Sequence, residues 1–196
     1  MTTETPRRGS ARRAQVLDGL VEVFLAEGFA GFSLEELAAR LRCSKTTLYA
    51  VAASKEQLIS VVVREFFRRS TARVEERLAG ASDPVVRIRT YLEAISEELA
   101  PASPAFFADL AAFAPAREVY QRNTAIAAER VQALVADAAR PGSGVDARFV
   151  GAVAGVVMAA IQSGDLAAAT SLTDAAAYRR LADLVVAGAA GAERTS

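Results

Sequence analysis

The sequence predicts an all-α protein with an N-terminal three-helix head and a larger C-terminal helical bundle, about nine helices in all. Three observations carry that expectation. Apolar residues recur at helical rather than strand spacing, alanine is abundant, and almost every apolar stretch begins at a recognisable cap.

The first stripe is Val16, Leu17, Leu20, Val23 and Phe24, closed by Gly28 where a left-handed residue suits a helix end. Ser33-Leu34-Glu35-Glu36 is a capping box flanked by a Phe32/Leu37 staple, so a second helix starts at Ser33. Its stripe is Leu34, Leu37, Ala38 and Leu41. Only Arg42 and Cys43 separate it from Ser44, a good N-cap for a third helix, with Cys43 and Leu48 as its staple pair. Two short helices across a tight turn make a helix-turn-helix. Ser54 to Gln57 is a second box, opening a fourth helix to about Leu78.

Farther on, Asp83-Pro84 and Ser103-Pro104 are cap and first-turn pairs for helices five and six. Helix six carries Phe106, Phe107, Leu110 and Phe113. A seventh helix follows Pro115 and runs to about Arg140, where Pro141-Gly142-Ser143-Gly144 breaks it. Asp146 caps an eighth, and a ninth begins near Thr173 or Asp174. The domain division expected is residues 1–53 for the arm and helix-turn-helix and 54–196 for the bundle.

Composition narrows function. Histidine is absent, which removes the commonest general base, the commonest metal ligand and every Ser-His or Cys-His pair. With no glycine-rich phosphate loop or reactive-cysteine setting either, no enzyme, metal site or cofactor is expected. The single cysteine, Cys43, cannot form an internal disulfide and suits a small core position. The opening segment is polar, carrying Arg7, Arg8, Arg12 and Arg13, and the longest uncharged apolar run, 149–161, falls short of the roughly 20 residues of a membrane span. A cytoplasmic protein is expected.

Formal net charge is zero, so a nucleic-acid signal has to be local. Lys45 and Lys55, the chain's two lysines, stand at the starts of helices three and four, where helix dipoles favour anions. From Leu37 to Lys55 the basic residues Arg40, Arg42, Lys45 and Lys55 meet no acidic one. Ser44, Thr46, Thr47 and Tyr49 interleave hydroxyls suited to phosphates or base edges, and the arginine arm can follow neighbouring phosphates. Double-stranded DNA is the expected partner, with helix three in the major groove.

Residues 32–38 (FSLEELA), 44–49 (SKTTLY) and 54–58 (SKEQL) together resemble the DNA-binding region of the TetR family of transcriptional regulators, over residues 10 to 65. The resemblance implies an all-helical homodimer, a repressor whose head binds operator DNA and whose C-terminal domain binds a small effector that releases it. It places DNA contacts at Ser33, Ser44, Lys45, Thr46, Tyr49 and Lys55. Two departures stand out: Ala50-Val51-Ala52-Ala53 replaces the family's usual histidine and aromatic, and Arg42 replaces its usual turn glycine. The alternative is a helical ligand-binding or interaction protein of the same fold that has lost DNA binding, for which the Ala50–Ala53 stretch speaks.

The resemblance also implies an effector pocket, for which Phe66, Tyr91, Phe106, Phe107, Phe113, Tyr120 and Met158 are apolar enough; Arg117, Arg122, Asn123 and Arg130 offer polar contacts. Gly151, Gly155 and Ala159, spaced by four, leave a face of helix eight almost without bulk. That face, with Leu181 and Val185 of helix nine, is expected to pair with a symmetry mate, and a bulky residue at 155 is expected to give monomers.

Overall fold

The structure, a computed structural model, describes residues 5–139 and 144–190, with side chains from 11 to 139 and 144 to 189. The described residues form ten helices and no strand: α1 (Thr5–Glu27), α2 (Leu34–Arg40), α3 (Lys45–Tyr49), α4 (Lys55–Ala79), α5 (Pro84–Leu99), α6 (Pro104–Ala112), α7 (Ala114–Ala138), α8 (Ala147–Gln162), α9 (Asp165–Thr170) and α10 (Asp174–Ala190). The all-α expectation holds, with one helix more than anticipated. Short α9 was missed because both of its ends rest on left-handed residues, Gly164 (φ 82) and Ser171 (φ 58), and its N-cap makes no side-chain bond.

The caps fall where the sequence places them. Ser33 accepts from the Glu36 N–H while the Glu36 carboxylate accepts from the Ser33 N–H, completing the box. Ser44, Asp83, Ser103 and Asp146 cap α3, α5, α6 and α8 through their side chains. Gly28 ends α1 at φ 77, its N–H bonded to the Phe24 carbonyl at 2.9 Å. The expected break at Pro141–Ser143 lies outside the described residues, as do the side chains of Arg7 and Arg8.

The chain forms two compact units, Met1–Arg68 with Ala102–Val119, and Arg69–Pro101 with Tyr120–Ser196. The boundaries fall inside α4 and α7. In the first unit Leu20, Leu37 and Leu48 bury one leucine from each of α1, α2 and α3. Beside them runs a chain of ring contacts: Phe24 to Phe29 at 5.4 Å, Phe29 to Phe106 at 6.2 Å, Phe106 to Phe66 at 5.7 Å. A glycine at 19 lets α1 approach the end of α2, since a Cβ there would meet Leu41 Cδ2 at 2.6 Å.

In the second unit α10 packs on α5 and α8, burying Leu92, Leu134, Ala154, Met158, Tyr178, Leu181 and Val185. Here the expectation for the small-residue face is corrected. Gly151 is buried against α7: a Cβ on it would meet Gln132 Cβ at 2.7 Å and the Ala128 carbonyl oxygen at 2.9 Å. Gly155 faces the same helix, its Cβ position 3.0 Å from Ala128 Cβ. Leu181 and Val185 are core as well, at 2 % and 3 % exposure. The glycines therefore return their conformational cost through close packing within one subunit, and of the five residues assigned to a dimer face only Ala159 is exposed.

Overpacking at such a contact outweighs alanine's better helix propensity. Gly151→Ala is expected to destabilise the second unit by about 1–3 kcal/mol in denaturant melts, and a bulky residue at 155 to cost stability rather than to produce a folded monomer.

Candidate nucleic-acid interface

α3 has five residues, too few to be helical alone, and is held by its surroundings. Ser44 Oγ accepts from the Thr47 N–H at 3.2 Å and shares a 2.9 Å hydrogen bond with Thr47 Oγ1. Leu48 is buried at 1 % exposure. With Leu48 inward, Lys45, Thr46 and Tyr49 lie outward, Tyr49 at 50 % exposure.

The turn before it is tight. Arg42 sits at φ 49, a left-handed conformation that favours glycine, and its N–H bonds to the Ala39 carbonyl at 3.1 Å. The Arg42 side chain is exposed at this turn. The arm arginines reach the same region as part of α1 rather than as a loose arm. Arg12 donates to the Arg42 carbonyl at 3.4 Å, and Arg13 to the Val51 carbonyl at 3.5 Å, just beyond the C-terminal end of α3 where a cation is favoured.

Of the residues expected to touch DNA, Ser33, Arg42, Ser44, Lys45, Thr46 and Tyr49 are exposed, and Thr47 and Lys55 are half-buried. Several are already engaged. Ser33 Oγ donates to Glu36 at 2.8 Å, and Lys55 Nζ donates to the Ala30 carbonyl at 2.9 Å. Lys45 pairs with Glu35, and Arg40 with Glu27. Ser33 holds the Glu36 carboxyl below its usual pKa, chiefly through its backbone N–H and then through its hydroxyl, with Lys55 adding a smaller Coulomb effect.

The acid-free run from 37 to 55 is therefore a property of the chain, not of the surface. Folding sets α2 and the end of α1 beside it, and their carboxylates pair with two of the four cations, Glu35 with Lys45 and Glu27 with Arg40. Residues 27, 35 and 36 lie just outside the window, which is why linear counting missed them.

The aromatic residues considered for an effector pocket divide between the units. Phe66, Phe106, Phe107 and Phe113 belong to the first unit and its ring cluster, while Tyr91, Tyr120 and Met158 belong to the second. In the second unit Gln162 was not singled out from the sequence, and Tyr178 was placed only on the apolar face of the last helix. Gln162 Nε2 donates to Tyr178 Oη at 2.9 Å, and Gln162 Oε1 is buried with no hydrogen-bond partner. Exchanging the amide's ends leaves one of them in the same position. Burial raises the phenols of Tyr178, Tyr120 and Tyr91 well above their usual pKa, and nearby Tyr120, Asp174 and Tyr91 raise Tyr178 further. Arg130, expected to offer a polar contact, is paired with Glu75 through two bonds of 2.9 and 2.8 Å. Arg117 donates to the Ala111 carbonyl at 2.7 Å.

A capped helix-turn-helix among described residues that form no strand is the supersecondary frame of this first unit. Residues 16–62 match the family model described as bacterial regulatory proteins, tetR family, which bears out the resemblance read from residues 32–58. No curated protein sequence matches the chain significantly. Among solved structures, the chain is similar to a TetR-family transcriptional regulator from Streptomyces coelicolor, at 19% identity over 92% of this chain and 93% of that one, TM-score 0.65. It is also similar to a transcriptional regulator from Saccharomonospora viridis in complex with choline, at 14% identity over 90% and 96%, TM-score 0.72. A third is the fatty acid degradation regulator FadR from Bacillus halodurans, at 13% identity over 94% and 97%, TM-score 0.68. Residues 16–62 thus match the TetR-family model, and the chain has the fold of solved TetR-family regulators.

The Lys45–Glu35 pair generates a test on this surface. An exposed pair is worth about 0.2–1 kcal/mol, so Glu35→Gln is expected to tighten binding to duplex DNA by up to about fivefold, read by fluorescence anisotropy; unchanged or weaker binding would show that Glu35 does not restrain Lys45.

Proposed function

We propose that the protein is a transcriptional repressor that binds operator DNA as a homodimer and is released by a small-molecule effector. The observation that carries the reading is the outward face of α3, where Lys45, Thr46 and Tyr49 stand exposed on a helix whose only buried residue is Leu48. In this reading residues 1–53 read DNA, with α3 in the major groove and Ser33, Arg42, Ser44, Thr47 and Lys55 at its borders. Lys45 exchanges Glu35 for a phosphate as the complex forms.

Residues 54–196 dimerise and bind the effector. The dimer face proposed is now the exposed apolar stripe of α8 and α10: Phe149, Ala152, Val156 and Ala159 at helical spacing, with Leu184. Phe149, Val156 and Leu184 are 66 %, 71 % and 62 % exposed in the single chain. A two-fold axis would lay this stripe on its own copy. The effector proposed is a mostly apolar molecule that makes polar contacts with Gln162 and Tyr178. That another protein of this fold was solved with choline supports a small-molecule site but does not name this one. Effector and operator affinities are then linked reciprocally.

A second reading, a TetR-fold protein that has lost DNA binding, is favoured by the compensated cations around α2 and α3 and by Ala50–Ala53.

A gel shift on the promoter region adjoining the protein's own gene, at two salt concentrations, separates the two readings. The first expects a shift that weakens steeply with salt, and a slope smaller by about one for Lys45→Ala. No shift at low salt selects the second. For the dimer, Val156→Glu is expected to give folded monomers in light scattering; a dimer that persists places the interface elsewhere.

A further inference from the structure

We propose that Asp109 is a positioning residue for DNA recognition: from α6 it clamps the turn between α1 and α2, and so sets the attitude of the helix-turn-helix. The inference rests on the DNA-binding reading above and deepens it.

The clamp begins with Gly28. Its left-handed φ of 77 ends α1 and turns the next two N–H groups toward one point. Asp109 Oδ2 occupies that point, accepting from the Phe29 N–H at 2.5 Å and the Ala30 N–H at 2.8 Å. Successive N–H groups after a left-handed residue form a concave anion site, and a charged acceptor makes such bonds stronger than a neutral one. Only a glycine admits the carboxylate, because a Cβ at position 28 would sit 2.5 Å from that same oxygen and 3.3 Å from Ala105.

Other contacts hold the same turn from other sides. Lys55 Nζ donates to the Ala30 carbonyl from the start of α4, and the Ser103 N–H donates to the Leu25 carbonyl at 2.7 Å. The Phe29 ring meets Phe106 and Phe113 edge-on at 6.2 and 6.3 Å. Ser33, the N-cap of α2, follows Ala30 by three residues. That leaves little slack, so the placement of this turn is handed to α2, and through the tight turn at Arg42 to α3.

A carboxylate that merely stapled the fold would affect stability alone. One that positions α3 also alters what α3 presents while the protein remains folded. The test uses the full chain with Asp109→Asn, which keeps one acceptor oxygen without the charge, and Gly28→Ala, which displaces the carboxylate from the other side.

Two readouts are taken at a temperature where circular dichroism shows both variants folded. In the free protein, the backbone amide resonances of residues 44–49 are expected to move in both variants, although none of these residues touches Asp109. On the duplex that the wild type shifts, affinity is expected to fall by roughly two- to tenfold, because only the part of a charged bond's worth that sets the attitude of α3 reaches DNA, with a smaller salt slope. Unmoved 44–49 resonances, or a folded variant with wild-type affinity and slope, overturn the clamp. A wild type that binds no duplex sinks the DNA-binding reading instead, an outcome separate from the amide result.

Discussion

The short length of α3 is the constraint from which the rest follows. Five residues cannot sustain a helix by hydrogen bonding within themselves, so this one exists because Leu48 is buried and Ser44 closes its first turn. The same anchoring decides which side chains remain outside. Had the buried position been one residue earlier or later, Lys45 and Tyr49 would have rotated by about 100° around the axis and the outward set would differ. The outward surface of α3 is therefore a by-product of core packing in the first unit, which explains why so much of that unit braces α3. Leu20 and Leu37 bury one leucine each from α1 and α2, and Arg12 and Arg13 cover carbonyl groups at the turn and just past the end of the helix.

Two cations of this surface are already paired with carboxylates. Lys45 and Arg40 are matched by Glu35 and Glu27, and the whole chain has no net charge. In the proposed complex a phosphate takes the place of Glu35 at Lys45, which requires close geometry between the two surfaces. Each exchange gives up only a surface ion pair, whose worth is small.

Features written locally were legible in the sequence. The caps at Ser33, Ser44, Asp83, Ser103 and Asp146 each depend on residues within three or four positions, and each is found where the local pattern places it. The helix-turn-helix spacing was readable for the same reason. What escaped is what folding brings from afar. Asp109 meets Ala30 across 79 positions, and no window of sequence contains both. The carboxylates of α2 lie one helix away from the lysine they neutralise. The glycine face of α8 announced a close neighbour but not whose: α7 of the same chain was as consistent with the spacing as a second copy, and contact geometry chose α7. The residues grouped for an effector pocket are divided between the two units, a division that composition alone does not carry.

The proposed meeting of the outward face of α3 with DNA bases can be read by placing p-benzoylphenylalanine at position 49 and irradiating the protein with its promoter duplex at low salt. The expected product is a covalent adduct on bases lining a major groove, abolished by excess unlabelled duplex. DNA that is bound without any adduct from position 49, while the same probe at an exposed position of α8 or α10 does cross-link, would contradict it.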